Sequence, residues 1–514
     1  KAQPAMLPRW RKKEDVALQA LQLSEFLSKF APLTNAHTVK FFVDNVWDQV
    51  PQDLRADLSV LTLEELLAIL SETEHRTLDG QVAHLKVVKE FARQASQTGL
   101  CRMPTPELQE RTQKMGDFLR VNKCCAPKKA LEVSSCCAIV SELSASTQTP
   151  ALVDVGCGKG YLSDALSLGL GLHVVGIDSS DVKTQAARKR SRQMTRQWTG
   201  QKQRERDVEE FQDQAPRRTA FTPMTEFITA RDAASGDLSR RITETTEGRI
   251  GAGDGLGLLA LHACGDLTSN IVRIFTAWPQ ARWLFTVGCC LNLATEEFDE
   301  GSHPTVADRR DAHGVADSKC HDLPTAWTPD IDPAGFPMSK LLRERHMGLG
   351  HNTRMVAMQP VVQRPESVMA SEPGQFLRAC LEVILHTYFP ERDVGGQASG
   401  QGRRRKGLAA KGVPVSVVGF VAYVRHALDV FHLDNDAVSD VDIQRTFTSL
   451  LPHRQHLANF VVVRNLLGPC VEALVALDRL LFLLEHPDIE AGCLAVFDPH
   501  SSPRNIALVA TKRQ

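Results

Sequence analysis

The residues in this 514-residue chain best typed and spaced for chemistry are Asp154-Val-Gly156-Cys-Gly158-Lys-Gly160, followed 24 residues after Asp154 by Asp178. Glycines at alternate positions let the backbone turn sharply out of a strand and approach a ligand with no Cβ in the way. Amide N–H groups at the start of a following helix can face a carboxylate or another polar ligand group. A carboxylate placed like Asp178 can accept hydrogen bonds from both hydroxyls of a ribose. The glycine spacing alone is weak, because a chain with 33 glycines is expected to show a chance GxGxG about 0.13 times. A second copy, Gly251-Ala-Gly253-Asp-Gly255, follows Glu247-Gly-Arg-Ile and reads as a loop. The first copy is distinguished by its context, a strand before it and a helix after it. A dinucleotide fingerprint would need a third glycine where Tyr161 stands, and a phosphate loop would need Ser or Thr where Gly160 follows Lys159. The motif therefore fits an adenosylmethionine site better than NAD or ATP.

Further along, Leu261-His262-Ala-Cys264-Gly-Asp266 and Gly288-Cys289-Cys290 each close an apolar run. His262 has the chemistry of a base and Asp266 that of an acceptor-orienting group. The bland alternatives are a core histidine and a helix cap. Cys289 and Cys290 read as structural thiols. Lys128 and Lys129, after Pro127, can reach a cofactor carboxylate or simply begin a helix. His313, Cys320 and His321 fit no common metal-site spacing, there is no CxxC among the 13 cysteines, and no metal is expected.

The elements that must position these groups follow from periodicity. Residues 1–125 carry apolar residues at helical spacing, with Thr62 and Glu65 as a capping box. Residues 126–298 alternate strand and helix. A helix over Val133 to Leu143 precedes a strand over Ala151 to Val155, a helix over Tyr161 to Leu168 and a strand over His173 to Ile177. That is a βαβ unit and implies a parallel sheet. A polar segment from Lys189 to Arg218 reads as a long surface helix or insertion. Strands are expected at Thr225 to Thr229, Leu256 to Leu261 and Trp283 to Val287, with a helix from Leu267 to Trp278. Residues 299–486 read as a loop and then a mainly helical insertion, broken at 395–412 by a Gly-rich linker with the basic run Arg403 to Lys406. Residues 487–514 close the fold as a hairpin of Cys493 to Phe497 and Ile506 to Ala510.

Taken in order, several segments resemble the methyltransferase-like protein 25 family. They are Asp154 to Ser163, Gly176-Ile-Asp-Ser179, Leu261 to Leu267, Val287-Gly-Cys-Cys290, Gly335-Phe-Pro-Met-Ser339 and Phe497 to Asn505. The resemblance runs from about residue 40 to the end. It implies an α/β fold with a Rossmann-like seven-stranded methyltransferase sheet. The helical N-terminal region would precede that sheet, and the large helical insertion would come before its last two strands. It implies methyl transfer from S-adenosyl-L-methionine and names no acceptor. Gly156, Gly158 and Gly160 would then hold the methionine end, Asp178 the ribose, and Asp154 the loop. The chain departs from the family at Leu291-Asn292, where members tend to continue Tyr-His, and after Lys129, where they usually continue His-Glu and this chain reads Ala130-Leu131-Glu132. The first departure removes two polar groups from the acceptor side. It leaves open a catalytically inactive cofactor-binding scaffold as the alternative.

With 60 basic and 61 acidic residues, the net charge of −1 gives no global grip on nucleic acid or membrane. Apolar runs such as Leu480 to Leu484 are too short to span a bilayer, and Lys1 to Asp15 is too charged for a signal peptide. The expectation is an intracellular protein, cytoplasmic or nuclear, with a macromolecular acceptor, RNA or protein.

Overall fold

The computed structural model describes residues 7–72, 86–119, 125–206, 221–298, 333–358, 365–391, 410 and 412–513. Seven strands form one sheet: β1 (Ala151–Val155), β2 (His173–Asp178), β3 (Thr222–Thr225), β4 (Leu256–Cys264), β5 (Ala281–Cys289), β6 (Ile489–Ala495) and β7 (Ile506–Lys512). Their order is β3-β2-β1-β4-β5-β7-β6. The first five run parallel, and β7 lies antiparallel between β5 and β6. This is the Rossmann-like methyltransferase sheet. Its order reverses between β1 and β4, the position where open α/β sheets bind ligands beyond the carboxyl ends of their strands.

Parallel strands bury both faces, so they read as unbroken apolar runs. Side chains still alternate between two cores. Val153, Val175, Leu258, Ala260 and Leu508 pack into one, and Leu152, Val174, Leu259, Val509 and Phe285 into the other. Trp283 is wholly buried, its indole N–H donates to Thr149 Oγ1 at 2.6 Å, and a Cβ on Gly257 would lie 2.0 Å from its ring.

The first core is shared well beyond the sheet. The Lys13–Lys29 helix lies along the long Gly468–Leu484 helix. Phe41 meets Phe460 at 5.3 Å between centroids, and Trp47 stacks on His456 at 4.3 Å. Asn459 donates to Leu58 O and Leu61 O, and Arg464 to Leu33 O and Thr34 O. The N-terminal helices and the helices before β6 thus pack on each other as well as on the sheet. The Thr62 capping box forms, with Thr62 N–H donating to Glu65 Oε2 at 2.8 Å and Glu65 N–H to Thr62 Oγ1 at 3.2 Å.

Several local expectations shift. β3 ends at Thr225, because Thr229 accepts from Asp232 N–H and starts a helix instead. The helix after the glycine loop makes one α-turn, Tyr161–Asp164, and widens to a π-turn over Ala165–Gly169. The helix after β2 begins early, at Asp181, and runs to Arg206. By length and composition the stretch Asp440–Leu484 could cross a membrane, yet 78% of its most apolar window is buried inside the protein. It breaks into helices Asp440–Leu450, Arg454–Leu466 and Gly468–Leu484. The loop over 299–332, His313, Cys320, His321 and most of the 395–412 linker lie outside the described residues.

Candidate functional site

The glycine loop leaves β1 at the point where the strand order reverses. Gly156, Gly158 and Gly160 have φ of 73°, 56° and 72°, left-handed values that favour glycine. Gly156 N–H and Cys157 N–H both donate to Ile177 O, at 2.7 and 3.1 Å, which ties the loop to the end of β2. Phe221 closes the loop from below, and a Cβ on Gly160 would sit 2.4 Å from its ring. A Cβ on Gly158 would meet nothing within 4 Å, so the loop is open on that side.

Asp178, buried at the end of β2, is held by that same loop. Its Oδ2 accepts from Gly158 N–H at 3.1 Å and its Oδ1 from Ser180 N–H at 3.0 Å, with Lys183 Nζ 3.7 Å away. A carboxylate offers about four lone-pair positions, so each oxygen keeps acceptor capacity. Asp154 is buried inside β1, where Ser163 Oγ donates to it at 2.5 Å. Burial pushes its carboxyl up to about 7; the Ser163 bond opposes this, and the Asp178 charge adds to it. The dinucleotide-type third glycine is replaced by Tyr161, whose ring lies 3.9 Å under the Arg190 guanidinium. Arg190 also pairs with buried Asp164 at 3.4 Å. The second glycine triplet, 251–255, is a turn leading into β4, with Gly251 N–H donating to Asp254 Oδ2.

At the end of β4 the ladder slips between Leu261 and Ala263, and His262 adopts φ 63°, strained for a side chain with a Cβ. Its Nε2 lies 3.1 Å from Oε1 of Glu132. Glu132 is only 1% exposed and gathers three segments. Lys129 Nζ donates to it at 2.7 Å and Ser502 Oγ at 2.9 Å, so the Pro127–Thr147 helix, β4 and the β6–β7 loop meet on one carboxylate. Burial raises that carboxyl, but the bonds from His262 and Lys129 outweigh it and hold the group at about 2. Lys129 is thus engaged, while Lys128 is the more exposed of the two lysines. Sequence reasoning met Glu132 only as part of the segment after Lys129 and gave it no role. The available signal was a lone acid on an otherwise apolar helix face.

Asp266 stands elsewhere. Its Oδ1 accepts from Thr295 N–H at 2.8 Å, and a Cβ on Gly335 would fall 1.9 Å from that oxygen. Ser269 Oγ donates to Gly335 O and Arg273 to Ala334 O. Met338 N–H and Ser339 N–H donate to Asp478. The carboxylate at the head of the Asp266–Ala277 helix therefore sits where residues 295 and 335 meet, at the joint between the sheet and the insertion. Arg479, fully buried beside Asp478, is lowered to about 10 by burial.

The thiols at the strand ends converge. Cys264 and Cys289 are register partners on β4 and β5, their sulfurs 3.0 Å apart, and Cys289 Sγ lies 3.6 Å from Cys290 Sγ. Cys290 has φ 47°, and hydrogen bonds from Cys264 and Cys289 hold its thiol low, with the positive charge of Arg504 nearby. Sequence spacing concealed that cation, which comes from a distant loop. Leu291, at the family departure, is buried.

Sheet order, glycine loop and acid after β2 are those of a Rossmann-like methyltransferase fold, and residues 128–297 match the family model described as a methyltransferase domain. Over most of its length the chain is similar to the protein named "Probable methyltransferase-like protein 25" of Mus musculus. The two are 24% identical over 96% of each chain. The protein of that name from Homo sapiens is also 24% identical, again over 96% of each chain. The resemblance carried by the separate motifs therefore extends across the chain.

Proposed function

We propose that the chain is an S-adenosyl-L-methionine-dependent methyltransferase. The observation that carries this is the bond from Gly158 N–H to Asp178 at the strand-order reversal, beside a loop whose Gly158 face is open. The cofactor would lay its methionine end over Gly156, Gly158 and Gly160 and its ribose hydroxyls on Asp178, whose remaining lone pairs suit two donors. The bound group supplies an electrophilic methyl on a sulfonium. Displacement at that carbon is in-line, so the residues of this chain act chiefly by orienting donor and acceptor. His262, steadied by Glu132, is the base within the fold's acceptor side for an acceptor that must shed a proton.

The acceptor we infer is macromolecular. Arg188, Lys189, Arg192 and Arg196 are exposed on the helix leaving Asp178. Such a face suits a phosphate backbone and favours RNA over protein. The alternative is an inactive cofactor-binding scaffold, supported by the burial of Leu291 where the family has a tyrosine.

Calorimetric titration with S-adenosylhomocysteine tests the cofactor reading. Binding to the wild type should weaken by about 1–3 kcal/mol in Asp178→Ala. Absence of binding to the folded wild type would defeat both enzyme and scaffold. Transfer of labelled methyl to RNase-sensitive material of a cell extract would separate the two.

A further inference from the structure

We propose that Cys264, Cys289 and Cys290 form a three-thiolate site for Zn2+ at the acceptor side of the cleft. The three sulfurs come from the ends of two adjacent strands and all lie within 4.8 Å of one another. Zinc binds thiolate at about 2.3 Å, so the sulfurs of a tetrahedral site stand about 3.8 Å apart. The Cys289–Cys290 separation of 3.6 Å already matches this, and the Cys264–Cys289 pair at 3.0 Å needs to open by less than an ångström. A disulfide between the latter two would bring the sulfurs to about 2.05 Å and leave the third thiol without a role.

The surroundings suit a thiolate cluster. Three thiolates and one Zn2+ carry net negative charge, and the positive charge of Arg504 bears on Cys290. Sγ of Cys264 and Sγ of Cys289 lie 3.4 and 3.3 Å from the same backbone oxygen, His262 O, so the two strand ends bring their sulfurs to one place; loading zinc would release the protons these thiols donate there. Cys264 is exposed, which leaves a fourth position for water. Three protein ligands with one open position is the arrangement of reactive zinc sites, whereas structural ones are closed by four. A soft donor set of this kind selects zinc over magnesium or calcium.

The test uses the full chain, purified under reducing conditions from zinc-supplemented cells. Elemental analysis should find about one zinc per chain, falling at least tenfold in the combined variant Cys264→Ser, Cys289→Ser, Cys290→Ser. Titration with Co2+ reads the same site without any variant. A thiolate-to-cobalt charge-transfer band with tetrahedral visible bands is expected, and zinc should bleach it. S-adenosylhomocysteine binding serves as the control for folding and stands or falls with the cofactor site alone. Wild-type protein that binds that nucleoside but gives no cobalt–thiolate band overturns the proposal. Zinc retained in the triple variant, or a Cys264–Cys289 disulfide found by peptide mapping of the fresh protein, overturns it equally.

Discussion

Replacing Glu132 by Gln should destabilise this protein at neutral pH and do so less and less as the solution is acidified. The carboxyl is held at about 2 against an ordinary 4.5, burial working against the bonds from His262 and Lys129. A depression of that size corresponds to about 3 kcal/mol at 1.36 kcal/mol per unit. Lys129 and His262 are partly exposed, with about a third of each side chain open to solvent, so screening reduces the figure to about 2 kcal/mol. Because the folded carboxyl is the stronger acid, its contribution is complete above the unfolded value of 4.5. It disappears as pH falls toward 2. Glutamine also turns an amide N–H toward Lys129 or Ser502, leaving one of them without an acceptor. At about 2–4 °C per kcal/mol for a domain of this kind, the melting temperature should drop by about 4–8 °C at pH 7. The gap between wild type and variant should narrow between pH 4.5 and pH 3. Other carboxylates protonate in both proteins, so the difference isolates this one. A gap that stays constant from pH 7 to pH 3, or no gap at pH 7, would refute the reasoning.

Asp154→Asn should act in the opposite sense. Its carboxyl is raised to about 7 from 3.8, chiefly by burial, so its stability contribution is full below 3.8 and lost as pH rises through 7. The loss amounts to about 4 kcal/mol at most. Asparagine keeps an acceptor for Ser163 and carries no charge, so the variant should melt above the wild type at pH 8 and approach it only as the pH falls toward 4. An unchanged difference across that range would count against a buried, neutralisable Asp154. Two glycine variants should separate packing from ligand binding. Gly160→Ala drives a Cβ to 2.4 Å from Phe221 at φ 72° and should lower the melting temperature markedly. Gly158→Ala meets no neighbour and should cost only about 1–2 kcal/mol of left-handed strain. It should nevertheless weaken S-adenosylhomocysteine at least tenfold, and equal effects of the two on binding and melting would contradict the open-face assignment.

What could be read in the sequence and what could not divides along the length of the contacts. The βαβ unit was legible because its signals are local. Ala151 to Val155 is an apolar run, the glycines demand left-handed backbone directly after it, and Asp178 falls one crossover later. The end of β3 was misjudged for an equally local reason, since Thr229 looks strand-forming until its side chain is seen to cap Asp232. Glu132, His262 and Ser502 lie successively 130 and 240 residues apart in sequence, and no periodicity links them. Only the sheet order, which inserts β7 between β5 and β6, carries the Ser502 loop back to the first helix of the domain. The same distance hid the partner of Asp266. A carboxylate at a helix start beside a strand end fits an acceptor site on type alone, and it took the position of Thr295 and Gly335 to show a joint.

That joint changes how the motifs outside the glycine loop should be weighed. Gly335 to Ser339 docks on Ser269 and Asp478, and Asn505 donates to Phe497 O and Arg102 O. Arg102 and Arg504 both pair with Glu472, at 2.6 and 3.3 Å, which binds the N-terminal helices and the β6–β7 loop to the Gly468–Leu484 helix. Motif density in this chain therefore tracks where separate segments lock together as much as where chemistry occurs. The features that distinguish the cleft are different in kind. They are the left-handed backbone at His262 and Cys290, a carboxylate with lone pairs to spare at Asp178, and three thiols at adjoining strand ends. Packing alone has no use for strained backbone beside convergent soft ligands. That combination, more than the number of matching segments, is why we propose the acceptor chemistry between β4 and β5.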